Sequence, residues 1–174
     1  MKKLFYLLIF GAFVSCNGCK ENKDNIEVVP SEDLRKQLIL HNKRQHEKEI
    51  EDIKIFINEK GWKMTETATG LQYMITEKGT GPKAELNDYV GFNYTVELFD
   101  GTKCYESQPN KPGYFKIGED NVESGLHELA LLLHQGDKAT VIIPSHLAFG
   151  LTGDSSKIPQ NSPLVYTIEL ISIQ

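Results

Sequence analysis

Cysteine is scarce, with three in 174 residues, and the pattern of those three excludes more than their number. Cys16-Asn17-Gly18-Cys19 has the C-x-x-C spacing of redox and zinc motifs. It lies in a polar stretch with no second pair downstream, so a tether is expected there rather than a metal or dithiol centre. Cys104 reads as a small apolar core or pocket residue, and a Cys19–Cys104 disulfide stays open. The five histidines are scattered, with no carboxylate or cysteine set around them, and His41 and His46 are five apart, off the helical i, i+4 face. No metal site and no cofactor are expected. The net charge is −5 and no basic stripe exists, which argues against a nucleic-acid partner. Tryptophan occurs once. There is no internal repeat, and no cluster of nucleophile, acid and base.

Long apolar runs are also missing, apart from one. "LFYLLIFGAFV", Leu4 to Val14, follows a basic Met1-Lys2-Lys3. It is too short to cross a bilayer and suits the apolar region of a secretory signal. "FVSC" then resembles a bacterial lipobox, with Phe13 where leucine is usual and Cys16 as the acylated residue. An ordinary secretion signal cleaved nearby is the other reading. On the first reading residues 1–15 are a lipoprotein signal peptide. Two or three acyl chains on Cys16 then hold the protein stably at a membrane, either periplasmic or associated with the outer membrane.

What is present is ordinary for a folded protein: 40% hydrophobic and 25% charged residues. Residues 16–30 are polar and pattern-free, a flexible tether. Residues 31–60 lack proline and glycine and are rich in Glu, Lys and Gln. Ser31 suits an N-cap, with Glu32 and Asp33 in the first turn. Leu34, Leu38, Ile50, Ile53 and Ile57 fall near helical spacing, while His41 to Glu49 shows no clean apolar stripe. The segment is expected to be a helix that dimerises, docks on the following domain or acts as a spacer.

From Gly70 the pattern becomes β. "LQYMITEKG" (71–79), "YVGFNYTVELFDG" (89–101), "YFKIG" (114–118), "KATVIIP" (138–144) and "PLVYTIELISI" (163–173) read as strands. "ESGLHELALLLHQGD" (123–137) puts Leu126, Leu129, Ala130 and Leu133 on one helical face and ends at Gly136, a suitable C-cap. A helix on a mostly antiparallel sheet is an α+β architecture. "VIIPSHLAFGLTG" (141–153) ends a core strand in a loop holding Phe149 between small residues.

The ordered set "TGLQYMITEKGTG", "DYVGFNYTVELFDGT", "YFKIGEDNVESGL", "QGDKATVIIPSHLAFGLTG" and "IPQNSPLVYTIELI" resembles the FK506-binding-protein type of peptidyl-prolyl cis-trans isomerase. The resemblance runs through loops as well as strands. With the leader and helix ahead of it, the chain is most similar to the gliding-motility-associated lipoproteins of that family. The resemblance implies a half-barrel sheet wrapped over one short helix, in a domain of residues 61–174. It implies a prolyl isomerase acting on proline-containing polypeptide clients, with no cofactor and with a pocket in the hollow between sheet and helix.

By the same resemblance Tyr94, Phe149 and Tyr166 take catalytic pocket positions. Cys104, Tyr105, Phe115, Val122, Glu123, Leu126 and Ile158 take substrate-binding ones. Several depart from the family's pattern. Phe149 replaces a tyrosine, Tyr166 a phenylalanine and Glu123 an isoleucine. Cys104 replaces a phenylalanine, Tyr105 a buried aspartate and Leu126 the tryptophan of the pocket floor. Gly113 stands where a wall phenylalanine is common. Two functions follow as expectations: an isomerase for exported or surface proteins, including gliding machinery, or a weakened domain serving as a chaperone or assembly module.

Overall fold

The computed structural model describes residues 31–108 and 110–174; the leader and tether, with Cys16 and Cys19, lie outside them. Helix α1 spans Glu32–Lys60. The Ser31 hydroxyl accepts from the Leu34 N–H at 3.3 Å, and Glu32 and Asp33 stand at the positive end of the helix dipole. Gly61, with φ 65°, ends the helix in the left-handed conformation. Its N–H reaches Asn58 O and that of Trp62 reaches Ile57 O, which satisfies carbonyls the helix leaves open.

Among the described residues, seven strands form one antiparallel sheet. They are β1 (Thr65–Glu66), β2 (Gln72–Glu77), β3 (Tyr89–Glu97), β4 (Lys103–Glu106), β5 (Gly113–Lys116), β6 (Lys138–Ile143) and β7 (Leu164–Ile173). The order is β1-β2-β6-β7-β3-β4, with β5 continuing the outer edge of β3 beyond β4. The short helix α2 (Ser124–Ala130) packs on one face. A Cβ on Gly125 would lie 2.5 Å from the Ile143 side chain, so helix and strand meet at a spacing only glycine permits. This is the α+β, open antiparallel arrangement expected.

The unbroken apolar run of β6 has a physical reason. Val141 and Ile143 face the main core with Leu129, Ala130 and Leu133. Ile142, between them in sequence, points to the opposite face. There it meets Val165 of β7 and Ile53 of α1, with Phe56, Ile57 and Trp62 around them. A strand covered on both faces has no polar side to show. The C-terminal half of α1 therefore docks on the sheet, and Phe56 stacks on Phe99 at 4.1 Å. Its N-terminal half leaves Leu34, Leu38, Ile39 and Leu40 exposed.

Several elements differ from expectation. The second helix stops at Ala130 rather than running to Gly136. Residues 131–137 turn back instead, and the buried Asp137 carboxylate accepts the backbone N–H groups of His134 (2.7 Å) and Gly79 (2.6 Å). Gly136, at φ 93°, serves this turn and not a helix end. The strand expected over 89–101 ends at Glu97, and β1 and β4 are strands that no apolar alternation announced.

The docking of α1 makes a direct prediction. Ile53→Ala, at a buried position, is expected to cost about 2–4 kcal/mol. Leu38→Ala, at a site 49% exposed, is expected to stay within about 0.5 kcal/mol. Urea unfolding midpoints of the two variants check the difference.

Candidate functional site: an apolar cavity between sheet and helix

Alternation along β3 sends Phe92, Tyr94 and Val96 to one side, and the partner residues Tyr166 and Ile168 of β7 join them. Phe115 of β5 stacks on Phe92 at 5.6 Å. Leu126 of α2 and Val122 just before it complete an apolar cavity of about 190 Å³. Tyr105 from β4 and the exposed Tyr114 stand at the same cavity. Gly113 belongs to its wall, and a Cβ there would come within 2.9 Å of the Tyr94 ring. Tyr94 thus occupies space beside the glycine that a bulkier residue would need.

Among the described residues, the cavity is lined by one carboxylate. Glu123, at the head of α2, accepts a hydrogen bond from the Tyr166 hydroxyl at 2.9 Å. Burial first, then the nearby carboxylate, pushes the Tyr166 phenol well above the ordinary tyrosine value, so it stays protonated and donates. Glu123 and Tyr166 each supply the other's partner.

Beside the cavity, the Tyr105 hydroxyl donates to Asp154. Asp154 Oδ1 also accepts the N–H groups of Ser156 (2.8 Å) and Ile158 (2.7 Å), which pins the 154–158 loop. The Tyr105 bond, foremost, and those backbone donors hold the Asp154 carboxyl down from 3.8 to about 2. A depressed folded-state value means the contact stabilises fully above about pH 3.8 and is lost as pH falls through about 2. A carboxyl NMR titration is expected to show a midpoint near 2 for Asp154. In Tyr105→Phe it is expected to move back toward 3.8; an unmoved midpoint would remove Tyr105 as the cause.

Seven of the residues singled out in sequence line this cavity: Tyr94, Tyr105, Phe115, Val122, Glu123, Leu126 and Tyr166. Three do not. Cys104 is buried beneath, its thiol 3.8 Å from the Thr102 and Lys157 carbonyls and raised in pKa chiefly by burial. Ile158 is in the core at 3% exposure. Phe149 is half-buried against the same core, outside the lining. Its loop follows a 3-10 turn at Ser145–Leu147 and is closed by the Gly150 N–H on Ser145 O.

Phe92, Val96 and Ile168 were missed in sequence, although the two-residue period of a strand puts them on the face of Tyr94 and Tyr166. His127, one of the scattered histidines, has a positioning role. It accepts the Gly118 N–H at Nδ1 (2.9 Å) and its Nε2 lies 3.0 Å from Asp120 O. That positions the loop delivering Val122 and Glu123. The expectation that no carboxylate neighbours the histidines fails at His146, which the fold sets beside His46 and Glu49.

Residues 81–171 match the family profile described as FKBP-type peptidyl-prolyl cis-trans isomerase. The chain belongs to that family. It is 39% identical over 108 residues to the probable FKBP-type isomerase FkpA of Neisseria meningitidis serogroup B, across 62% of this chain and 39% of that protein. It is 30% identical over 131 residues to the isomerase FKBP2 of Bos taurus, across 65% of this chain and 94% of that one. The chain spans about two fifths of the length of the FkpA relatives from Neisseria and Aeromonas hydrophila. Among solved structures, FkpA from Escherichia coli superposes with a TM-score of 0.64 at 28% identity, covering 84% of this chain and 74% of that one. A peptidyl-prolyl isomerase from Pseudomonas syringae pv. tomato gives 0.63 at 31% identity, covering 74% and 95%.

Proposed function

We propose that this chain is a peptidyl-prolyl cis-trans isomerase, held at a membrane by lipid on Cys16. Its clients are proline-containing segments of exported or cell-surface proteins, gliding machinery among them. The observation that carries the catalytic reading is the cavity itself: small, apolar and walled by Tyr94, Phe115, Leu126 and Tyr166. Its volume of about 190 Å³ suits a single ring better than an extended ligand.

The chemistry needs little more. Rotation about an X–Pro bond is slow because amide resonance sets a barrier of about 18–20 kcal/mol, and uncatalysed it takes about 10–100 s. Twisting the bond breaks that resonance and makes the carbonyl less polar. A cavity that excludes water therefore favours the twisted amide over the planar one. Tyr94, Phe115 and Leu126 hold the proline ring. The backbone N–H of Glu123, independent of its side chain, is the donor that family likeness assigns to a neighbouring client carbonyl.

A second reading rests on the Glu123–Tyr166 pair and the missing floor tryptophan. A carboxylate in the hollow and less ring area suit a domain that binds a client segment without turning it over. An assay of the chain from Cys16 onward, on tetrapeptides varied before proline, separates the two. Acceleration above the thermal rate supports the isomerase. A flat trace from a folded sample supports the binding module. The exposed Leu34, Leu38 and Ile39 motivate homodimerisation through residues 31–60; a monomer by light scattering would exclude it.

A further inference from the structure

The middle of α1 has no apolar stripe, yet the fold brings it against the loop that precedes Phe149, and polar groups make the contact. The Glu49 carboxylate accepts both the Ser145 N–H and the Ser145 hydroxyl, the latter at 2.8 Å. His46, one turn earlier, meets His146 edge to face with ring centroids 5.3 Å apart. One donor atom from each of His46, Glu49 and His146 lies within 4.8 Å of the other two.

We propose that His46, Glu49 and His146 form a zinc-class metal site that fastens α1 to the isomerase domain. Two imidazoles and one carboxylate are the donor set that borderline divalent ions take, with open positions left to water. The supporting contacts are those such ligands use elsewhere. His146 Nε2 lies 3.1 Å from the Thr69 carbonyl. A carbonyl only accepts, so Nε2 carries the proton and Nδ1 keeps the lone pair for a metal. Glu49 is oriented by Ser145, and each carboxylate oxygen retains a second lone pair. Bonds of about 2.0–2.2 Å bring donors closer together than 4.8 Å. Both histidines are exposed, so side-chain rotation closes that gap. The three residues stand between two clefts under α1, of about 600 and 200 Å³, through which an ion reaches them.

Helix docking alone accounts for Glu49 on Ser145. It does not account for two histidines, 100 positions apart, converging on the same carboxylate. The test uses the tag-free chain with Cys16→Ser and Cys19→Ser, so that no tether thiol competes, and Zn²⁺ as the only added metal. Calorimetry is expected to show one equivalent bound and a raised Tm. His46→Ala and His146→Ala are each expected to weaken binding about tenfold or more, while His41→Ala leaves it unchanged. Co²⁺ substitution is expected to give visible bands of nitrogen and oxygen ligation without thiolate charge transfer. Both variant positions are exposed, and circular dichroism confirms their folding. No uptake, or uptake that survives either histidine variant, would overturn the site.

Discussion

Asp137→Ala is expected to destabilise the protein by roughly 2–5 kcal/mol and to lower Tm by about 4–20 °C. The side chain is 2% exposed and accepts two backbone N–H groups, from Gly79 at 2.6 Å and His134 at 2.7 Å. Each donor left unpaired costs about 1–3 kcal/mol. The two bonds also join distant parts of the chain: the loop after β2 and the turn that carries α2 into β6. Gly79 is confined there, since a Cβ would lie 2.3 Å from the Gln135 carbonyl oxygen. Asn at 137 keeps one acceptor oxygen and is expected to recover part of the loss. Thermal melts of wild type, Asp137→Asn and Asp137→Ala check the ranking. Equal Tm values for wild type and Asp137→Ala would show that the turn holds without the carboxylate.

The second large effect concerns catalysis. Tyr94→Ala is expected to lower kcat/KM for prolyl isomerisation by about 10–100-fold, equivalent to about 1.4–2.7 kcal/mol of transition-state stabilisation. Its ring lines the cavity and lies against Gly113. Phe149→Ala removes a ring that packs on the core outside the lining, so its cost is expected in stability more than in rate. Leu126→Trp tests the floor from the other direction. Added ring area at that position is expected to raise kcat/KM by several fold, because buried apolar contact is worth about 25 cal/mol per Å². A Phe149→Ala variant as slow as Tyr94→Ala, with unchanged Tm, would return Phe149 to the client-binding surface. A Leu126→Trp variant slower than wild type would show the present floor to be the better fit.

Much of this was legible in the chain. Strand periodicity marked β2, β3, β6 and β7, because a sheet with a covered face must alternate or, when covered twice, run apolar throughout. Ser31 and Gly61 marked the ends of α1 by the hydrogen bonds they can make. Loop-by-loop likeness placed seven lining residues in the cavity. Phe149 and Ile158 were harder, since an apolar residue in a loop packs equally well on a core or on a client. The stop of α2 at Ala130 was hidden because Leu131, Leu132 and Leu133 continue a good helical composition. The bonds to Asp137, with the backbone bonds from Gln135 to Pro82 and from Gly136 to Leu170, make the turn the better conformation.

The chain by itself determined the antiparallel α+β frame, the helix ahead of it and the apolar character of the hollow. The frame and the helix follow from local propensity and from where apolar side chains recur, which neighbours in sequence encode; the hollow is what the family resemblance implies. The tertiary structure alone decided what meets across long separations. Tyr166 donates to Glu123, Tyr105 to Asp154, Ile53 covers Ile142, and His46 comes to His146. Such pairs depend on strand order and on the docking of a helix, and no spacing along the chain specifies either.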